Sequence, residues 1–266
     1  MRIALTGKGG SGKTTLAATL ARTYARRGFH VNALDGDPNP NLAAAIGVSD
    51  EDASRLRRVP REAILDDTSD AAGHEQSHLS RPLGEILAEY GVVGPDEVGV
   101  LTMTGLLGAG KGCICGQHSA VRDVMEQLAG GESREVTILD TEASIEHLSR
   151  GTVRNVDALL VVTEPYYRSL ETAGRVVPLA RELGLPEVWV VANKVRDERD
   201  KEAILQYGAG HDFEIVAAIP WDADVAEADR LGLSAIDHAP DAAAVRAIGA
   251  LADVLAERLG ASVPVG

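Results

Sequence analysis

Cysteine is nearly absent: the 266 residues contain two, Cys113 and Cys115. A pair two positions apart is no disulfide framework, so the thiols are expected to be free or metal-bound, as in a reducing cytoplasm. Aromatic residues make up 3% of the chain and methionines number 3, which leaves little material for an apolar docking surface. Basic residues are outnumbered, 26 against 40 acidic, and the net charge of −14 repels nucleic acid where no dense Lys/Arg cluster offsets it. Long hydrophobic runs are missing too, since stretches such as ALLVVT fall far short of the roughly 18 residues a membrane helix requires. The chain opens on strand-like RIALTG, where export would call for a charged n-region and an apolar h-region. These absences imply a cytoplasmic protein that partners neither nucleic acid nor membrane.

What remains is a chain with 45% apolar residues, enough to bury the core of one α/β domain over residues 1–266. Short runs rich in Val, Ile and Leu recur at 2–6, 30–35, 98–104, 136–141, 157–163, 187–194 and 214–220, with segments of helical period between them. That alternation predicts a doubly wound, mainly parallel sheet flanked by helices, with ligands at the carboxyl ends of its strands. Residues 50–97 break the rhythm with many charges and no strand-like pattern, and are read as a mainly helical or irregular insertion. Toward the end, Asp241–Leu259 puts Val245, Ile248, Leu251, Ala252, Leu255 and Leu259 on one helical face. Its polar face mixes Asp241, Asp253 and Glu257 with Arg246 and Arg258, which suits core packing rather than a membrane surface.

GKGGSGKTT, residues 7–15, follows the first strand and opens a helix, the context in which G-x-x-x-x-G-K-T predicts a phosphate-binding loop. Gly7, Gly9, Gly10 and Gly12 let the backbone curl, so that N–H groups of the loop, through Ser11 and on to Thr15, face phosphate oxygens. Lys13 then reaches the β and γ phosphates of ATP, and Thr14 ligates Mg²⁺. Asp140, ending the apolar run VTILDT, is placed to hold the same Mg²⁺ through water, unless it merely caps the next helix. Lys8 is surplus, because a plain loop already has its lysine.

With that second lysine, GKGGSGKTT is similar to the deviant Walker A loop of the MinD, ParA and nitrogenase iron protein class. The resemblance implies that Lys8 crosses a dimer interface to the partner's nucleotide, making an ATP-dependent homodimer. It also implies that Asp37, in DGDPNPN after the second strand, orients the attacking water; Asp35 is left as a possible partner for the loop lysines. Asn193, in ANK after the sixth strand, resembles the base-binding segment, with turn chemistry as the alternative. Lys8, Lys13 and Asp37 are thus the catalytic set, and Asn193 joins the loop as a nucleotide contact.

DTEASIEHLSRGT (140–152) and TEPYYRSLETAGR (163–175), together with C-x-C in KGCICGQH, narrow the resemblance to the CooC-type branch. These are nickel-insertion ATPases that mature carbon monoxide dehydrogenase, and their C-x-C cysteines bind zinc or nickel at the dimer interface. Two-fold symmetry gives a physical counterpart: one Cys113/Cys115 loop near the axis supplies four thiolates, a closed set for Zn²⁺ or Ni²⁺, or less readily for an iron–sulfur cluster. Gly116 and Ser144 depart from residues frequent in the branch. His118 is read as a surface or helix-start residue, and His74 and His78 as a solvated helix face without a third ligand. His147 lies near where the nitrogenase iron protein carries a further cluster cysteine, which counts against that reading. The expected function is a dimerising, slow, switch-like ATPase that delivers a metal to a client metalloenzyme. An iron–sulfur reductase-like protein and a MinD/ParA-like positioning ATPase are the alternatives.

Overall fold

The computed structural model describes residues 1–60, 65–69, 75–79, 81–103, 124–125, 134–141, 153 and 155–261. In chain order its strands are β1 (Arg2–Gly7), β2 (His30–Gly36), β3 (Leu65–Ser69), β4 (Glu75–Leu79), β5 (Val92–Val93), β6 (Gly99–Thr102), β7 (Glu135–Thr141), β8 (Ala158–Thr163), β9 (Val188–Val195) and β10 (Ile215–Pro220). The helices are α1 (Lys13–Arg26), α2 (Leu42–Ile46), α3 (Asp50–Ala53), α4 (Leu83–Tyr90), α5 (Tyr167–Glu182), α6 (Glu198–Gly210), α7 (Ala223–Leu231), α8 (Ala235–His238) and α9 (Ala243–Arg258). All seven apolar runs of the sequence are strands, within a residue or two of the expected bounds.

Eight strands form one sheet in the order β10-β9-β8-β1-β7-β2-β6-β5, and every neighbouring pair is parallel except β5–β6. The central strands are buried and mostly apolar because both of their faces are covered. On one face Ile3, Leu5, Ile138, Leu160 and Val162 meet α1 and α9 through Leu16, Leu20, Ile248, Leu251 and Leu255. On the other, Ala4, Leu139, Leu159 and Val161 meet Ala173, Val176 and Val177 of α5. The expected amphipathic helix is α9, with Val245, Ile248, Leu251, Ala252 and Leu255 buried; Leu259, just past its end, is partly buried.

From β1 the chain runs to β2, returns to insert β7 between them, and then crosses to β8 on the other side of β1. This reversal opens a crevice above the carboxyl end of β1, where GKGGSGKTT begins. Beside it, Arg22 of α1, 2% exposed, fixes helix α2. Its Nη1 donates to the Ile46 carbonyl at 2.6 Å and to Asp237 Oδ2 at 2.7 Å, and its Nε donates to Asp96 Oδ2 at 2.5 Å. The charge is paired and hydrogen-bonded, as a buried guanidinium requires.

Within 50–97 lie α3, α4, a 3₁₀ turn at Pro95–Glu97 and an antiparallel hairpin, β3–β4, in which Asp66 pairs with His78. The hairpin corrects the reading of a helix face at His78, because Glu75–Leu79 is a strand, rising about 3.3 Å per residue where a helix rises about 1.5 Å; His74 lies outside the described residues.

Candidate nucleotide site

Gly7 ends β1 at φ +141°, and a Cβ there would lie 2.2 Å from the Val162 carbonyl oxygen of the neighbouring β8. Only glycine lets the loop leave the sheet so close to the next strand. Gly12, at φ +89°, is the N-cap of α1, and the space of its missing Cβ is taken by the Asn193 amide, 2.4 Å from where that atom would be. No side chain caps this helix end, so the first-turn N–H groups remain for an anion. Ser11 N–H closes the turn onto the Lys8 carbonyl at 3.1 Å, and Ser11 Oγ is buried without a hydrogen-bond partner. Lys13, 8% exposed, extends its Nζ to 3.5 Å from the Lys8 carbonyl. Gly9, Gly10, Gly12, Lys13, Thr14 and Thr15 all line one cleft.

Below the loop, parallel register sets Asp140 of β7 beside Leu5 of β1 and Asp35 of β2. Thr14 Oγ1 donates to Asp140 Oδ2 at 2.6 Å, while Asp140 Oδ1 is buried with no partner. Burial pushes this carboxyl up to about 6, against the Thr14 hydrogen bond and the Lys13 charge. A hydroxyl in contact with a buried carboxylate that has an orphaned oxygen fits a magnesium site of Thr plus water-mediated Asp. Asp35 gives both oxygens to main-chain donors, Asp37 N–H at 3.1 Å and Leu42 N–H at 2.9 Å. It therefore shapes the segment between β2 and α2, and burial pushes its carboxyl up to about 7. Asp37 lines the cleft and accepts from Asn39 N–H at 2.8 Å.

Asn193 donates from Nδ2 to the Ser11 carbonyl at 2.7 Å and accepts from Lys194 N–H at 3.0 Å. It thus braces the loop, with one amide hydrogen and further acceptor capacity left over. Lys194, held at φ +56°, donates from Nζ to the Gly10 carbonyl at 2.5 Å and pairs with Glu164 at 3.1 Å. Glu164, 7% exposed, also accepts from the Tyr166 hydroxyl, a bond that pushes the phenol up to about 12. Lys8 lies over the Tyr166 ring, its Nζ 5.0 Å from the centroid.

Glu164, Tyr166 and Lys194 fall in TEPYYRSLETAGR and ANK, the segments that carried the resemblance, yet none was given a role of its own; the signal that could have found them was their place, as polar residues at or after the carboxyl ends of β8 and β9. The cleft, about 760 Å³, continues from the loop to Arg196, Trp221 and Asp222. There the Arg196 guanidinium lies 5.6 Å from the Trp221 ring centroid. Cys113, Cys115, Gly116, His118, Ser144 and His147 lie outside the described residues. Among the described residues no group of three or more His, Cys, Asp or Glu is arranged to hold a metal ion, and no helix is long and apolar enough to cross a membrane.

Over residues 3–235 the chain matches the CobQ/CobB/MinD/ParA nucleotide binding domain. It is 36% identical over 262 residues, 98% of each chain, to the carbon monoxide dehydrogenase accessory protein CooC of Rhodospirillum rubrum. It is also 36% identical over 239 residues, 87% of this chain and 90% of the other, to an uncharacterized ATP-binding protein of Methanocaldococcus jannaschii. The septum site-determining protein MinD of Pyrococcus horikoshii, solved with Mg-ADP, shares the fold with a TM-score of 0.70 at 21% identity, covering 97% of both chains.

Proposed function

Because the chain belongs to the CobQ/CobB/MinD/ParA nucleotide-binding family, we propose that it is an ATPase whose ATP-bound homodimer hands a metal ion to a metalloenzyme. The observation that carries the ATPase reading is the Thr14–Asp140 contact of 2.6 Å, with Asp140 Oδ1 buried and unpartnered, below a glycine-rich loop that opens a helix. Thr14 and Asp140 would hold Mg²⁺, which when bound neutralises charge on the transferring phosphate. Lys13 and the loop N–H groups cradle the phosphates, and Asp37 orients the attacking water. Asn193 braces the loop beside the base. Lys8 completes the partner's site, so hydrolysis waits for dimerisation and the enzyme is slow and switch-like.

The metal-delivery reading rests on similarity to CooC across 98% of both chains. By that similarity the cargo is nickel or zinc, and the client is a carbon monoxide dehydrogenase in the cytoplasm. Cys113 and Cys115 of two copies supply four thiolates, and opening and closing of the dimer with ATP reshapes that shared site. Residues 1–266 act as one ATPase domain, with 50–97 as an insertion.

Metal analysis of the purified protein with Mg-ATP should find about one Zn²⁺ or Ni²⁺ per two chains, as a two-fold site demands. Full occupancy in a Cys113→Ala, Cys115→Ala double variant would end the metal reading. Sizing with ATP tests the dimer: Asp37→Ala should accumulate it, and a Lys8→Ala protein that dimerises like the wild type removes the role of Lys8.

A further inference from the structure

We propose that Tyr166 is the resting berth of Lys8, which holds the lysine on its own subunit until ATP-driven dimerisation draws it away. The inference rests on the reading of Lys8 as the residue that acts across the dimer. Within the single chain the Lys8 ammonium lies over the Tyr166 ring, 5.0 Å from its centroid, within the range of a cation–π contact.

The ring is held in place from several directions. Its hydroxyl donates to Glu164. Its own N–H bonds the Glu164 carbonyl at 2.8 Å, and its carbonyl accepts from Ser169 and Leu170 at the start of α5. Glu164 is fixed in turn, since its N–H bonds Ser169 Oγ at 3.0 Å and its carboxylate pairs with Lys194 at 3.1 Å. Lys194 then returns to the loop through the Gly10 carbonyl at 2.5 Å. The contacts run from Lys8 through Tyr166, Glu164 and Lys194 to Gly10, leaving and rejoining the same phosphate loop two residues apart. Any rearrangement of the loop around phosphate therefore bears on both ends of the berth. A ring whose hydroxyl donates to a carboxylate is also more electron-rich, which suits it to hold a cation.

The berth is built to let go. Tyr166 is 43% exposed, and an exposed cation–π contact favours the parked lysine by a factor of only about two to five. Both subunits of a symmetric dimer must release, which squares the factor to about five to thirty. The contact is thus too weak to prevent dimerisation and strong enough to set the ATP and protein concentrations at which it starts.

Two readouts separate the berth from the dimer. The chain has five lysines, Lys8, Lys13, Lys111, Lys194 and Lys201, so ¹³C reductive dimethylation, which keeps the charge, gives a small set of NMR signals. Without nucleotide, the Lys8 methyl signal should be shifted upfield by the ring in the wild type and in Tyr166→Phe, and return to its free position in Tyr166→Leu. An unshifted signal in the wild type overturns the berth. Sedimentation with Mg-ATP should then show Tyr166→Leu dimerising about five- to thirty-fold more tightly than the wild type, and Tyr166→Phe within about two-fold of it. In a Lys8→Ala background Tyr166→Leu should change nothing. An unchanged or weaker dimer for Tyr166→Leu, or the same change without Lys8, overturns the regulatory role. If the wild type forms no dimer with ATP, the trans-acting role of Lys8 falls instead and the release step with it, while the methyl shift still decides whether the berth exists.

Discussion

Replacing Asp140 with asparagine should stabilise the nucleotide-free fold near neutral pH while disabling its response to Mg-ATP. Asp140 is 2% exposed, and burial pushes its carboxyl from 3.8 up to about 6. Between those values the folded chain keeps a proton that the unfolded chain has lost. Stability therefore falls as pH rises from about 4 to about 6 and stays reduced above that. Roughly two pKa units at about 1.36 kcal/mol each bound the cost at about 3 kcal/mol. Asparagine has the same shape, offers an oxygen to the Thr14 hydroxyl in place of Oδ2, and carries no charge. Its amide N–H groups replace Oδ1, which is buried without a partner, and leaving them unmet costs about 1 kcal/mol. The net gain is about 1–2 kcal/mol, or about 2–4 °C in Tm for a chain of this size.

Differential scanning calorimetry at about pH 8 and about pH 4.5, with and without Mg-ATP, reads all of these terms. The variant should melt above the wild type at the higher pH, and the advantage should vanish at the lower one, where aspartic acid is itself neutral. Mg-ATP should raise the wild-type Tm by mass action and leave the variant nearly unmoved. A variant that melts below the wild type at pH 8 refutes the desolvation argument. Equal stabilisation of both proteins by Mg-ATP removes Asp140 from the metal site.

Gly7→Ala sets a Cβ 2.2 Å from the Val162 carbonyl oxygen at φ +141°. The Cβ is carried by Gly7 and the oxygen by Val162, two residues paired across β1 and β8, so neither can step aside; urea denaturation should show a loss of about 2–4 kcal/mol, and an unshifted midpoint would contradict the geometry. Trp221 is one of two tryptophans; it lines the cleft at 44% exposure, whereas Trp189 is buried at 2%. ATP should therefore blue-shift the emission, the shift should survive Trp189→Phe, and it should vanish in Trp221→Phe. Persistence in Trp221→Phe would show that ATP does not reach the Arg196–Trp221 end of the cleft.

The readable parts of this fold are those that a single segment determines. A central parallel strand such as ALLVVT at 158–163 is buried at every position and so is almost wholly apolar. The phosphate loop is readable because a curled backbone leaving a strand demands glycine at fixed spacing. LDDTS and EQSHL, by contrast, pair into a hairpin with hardly an apolar residue between them, and no periodicity test finds such strands. Asp35 was legible as a polar residue at a strand end, while its job of anchoring Asp37 and Leu42 N–H groups depends on how the following loop folds back.

The Lys8–Tyr166–Glu164–Lys194 path was hidden for a different reason. Its residues belong to three segments that the chain visits far apart, and they meet because β1 pairs with β8 and β8 with β9. Gly7 stands opposite Val162, and Thr163 opposite Ala192. That register sets the phosphate loop, TEPYY and ANK side by side at one edge of the crevice. A lysine surplus to phosphate binding thereby finds its first partner within its own subunit. If Lys8 acts across a dimer as proposed, the second lysine of the loop is a part with two seats, and the difference in occupancy between them is what ATP has to change.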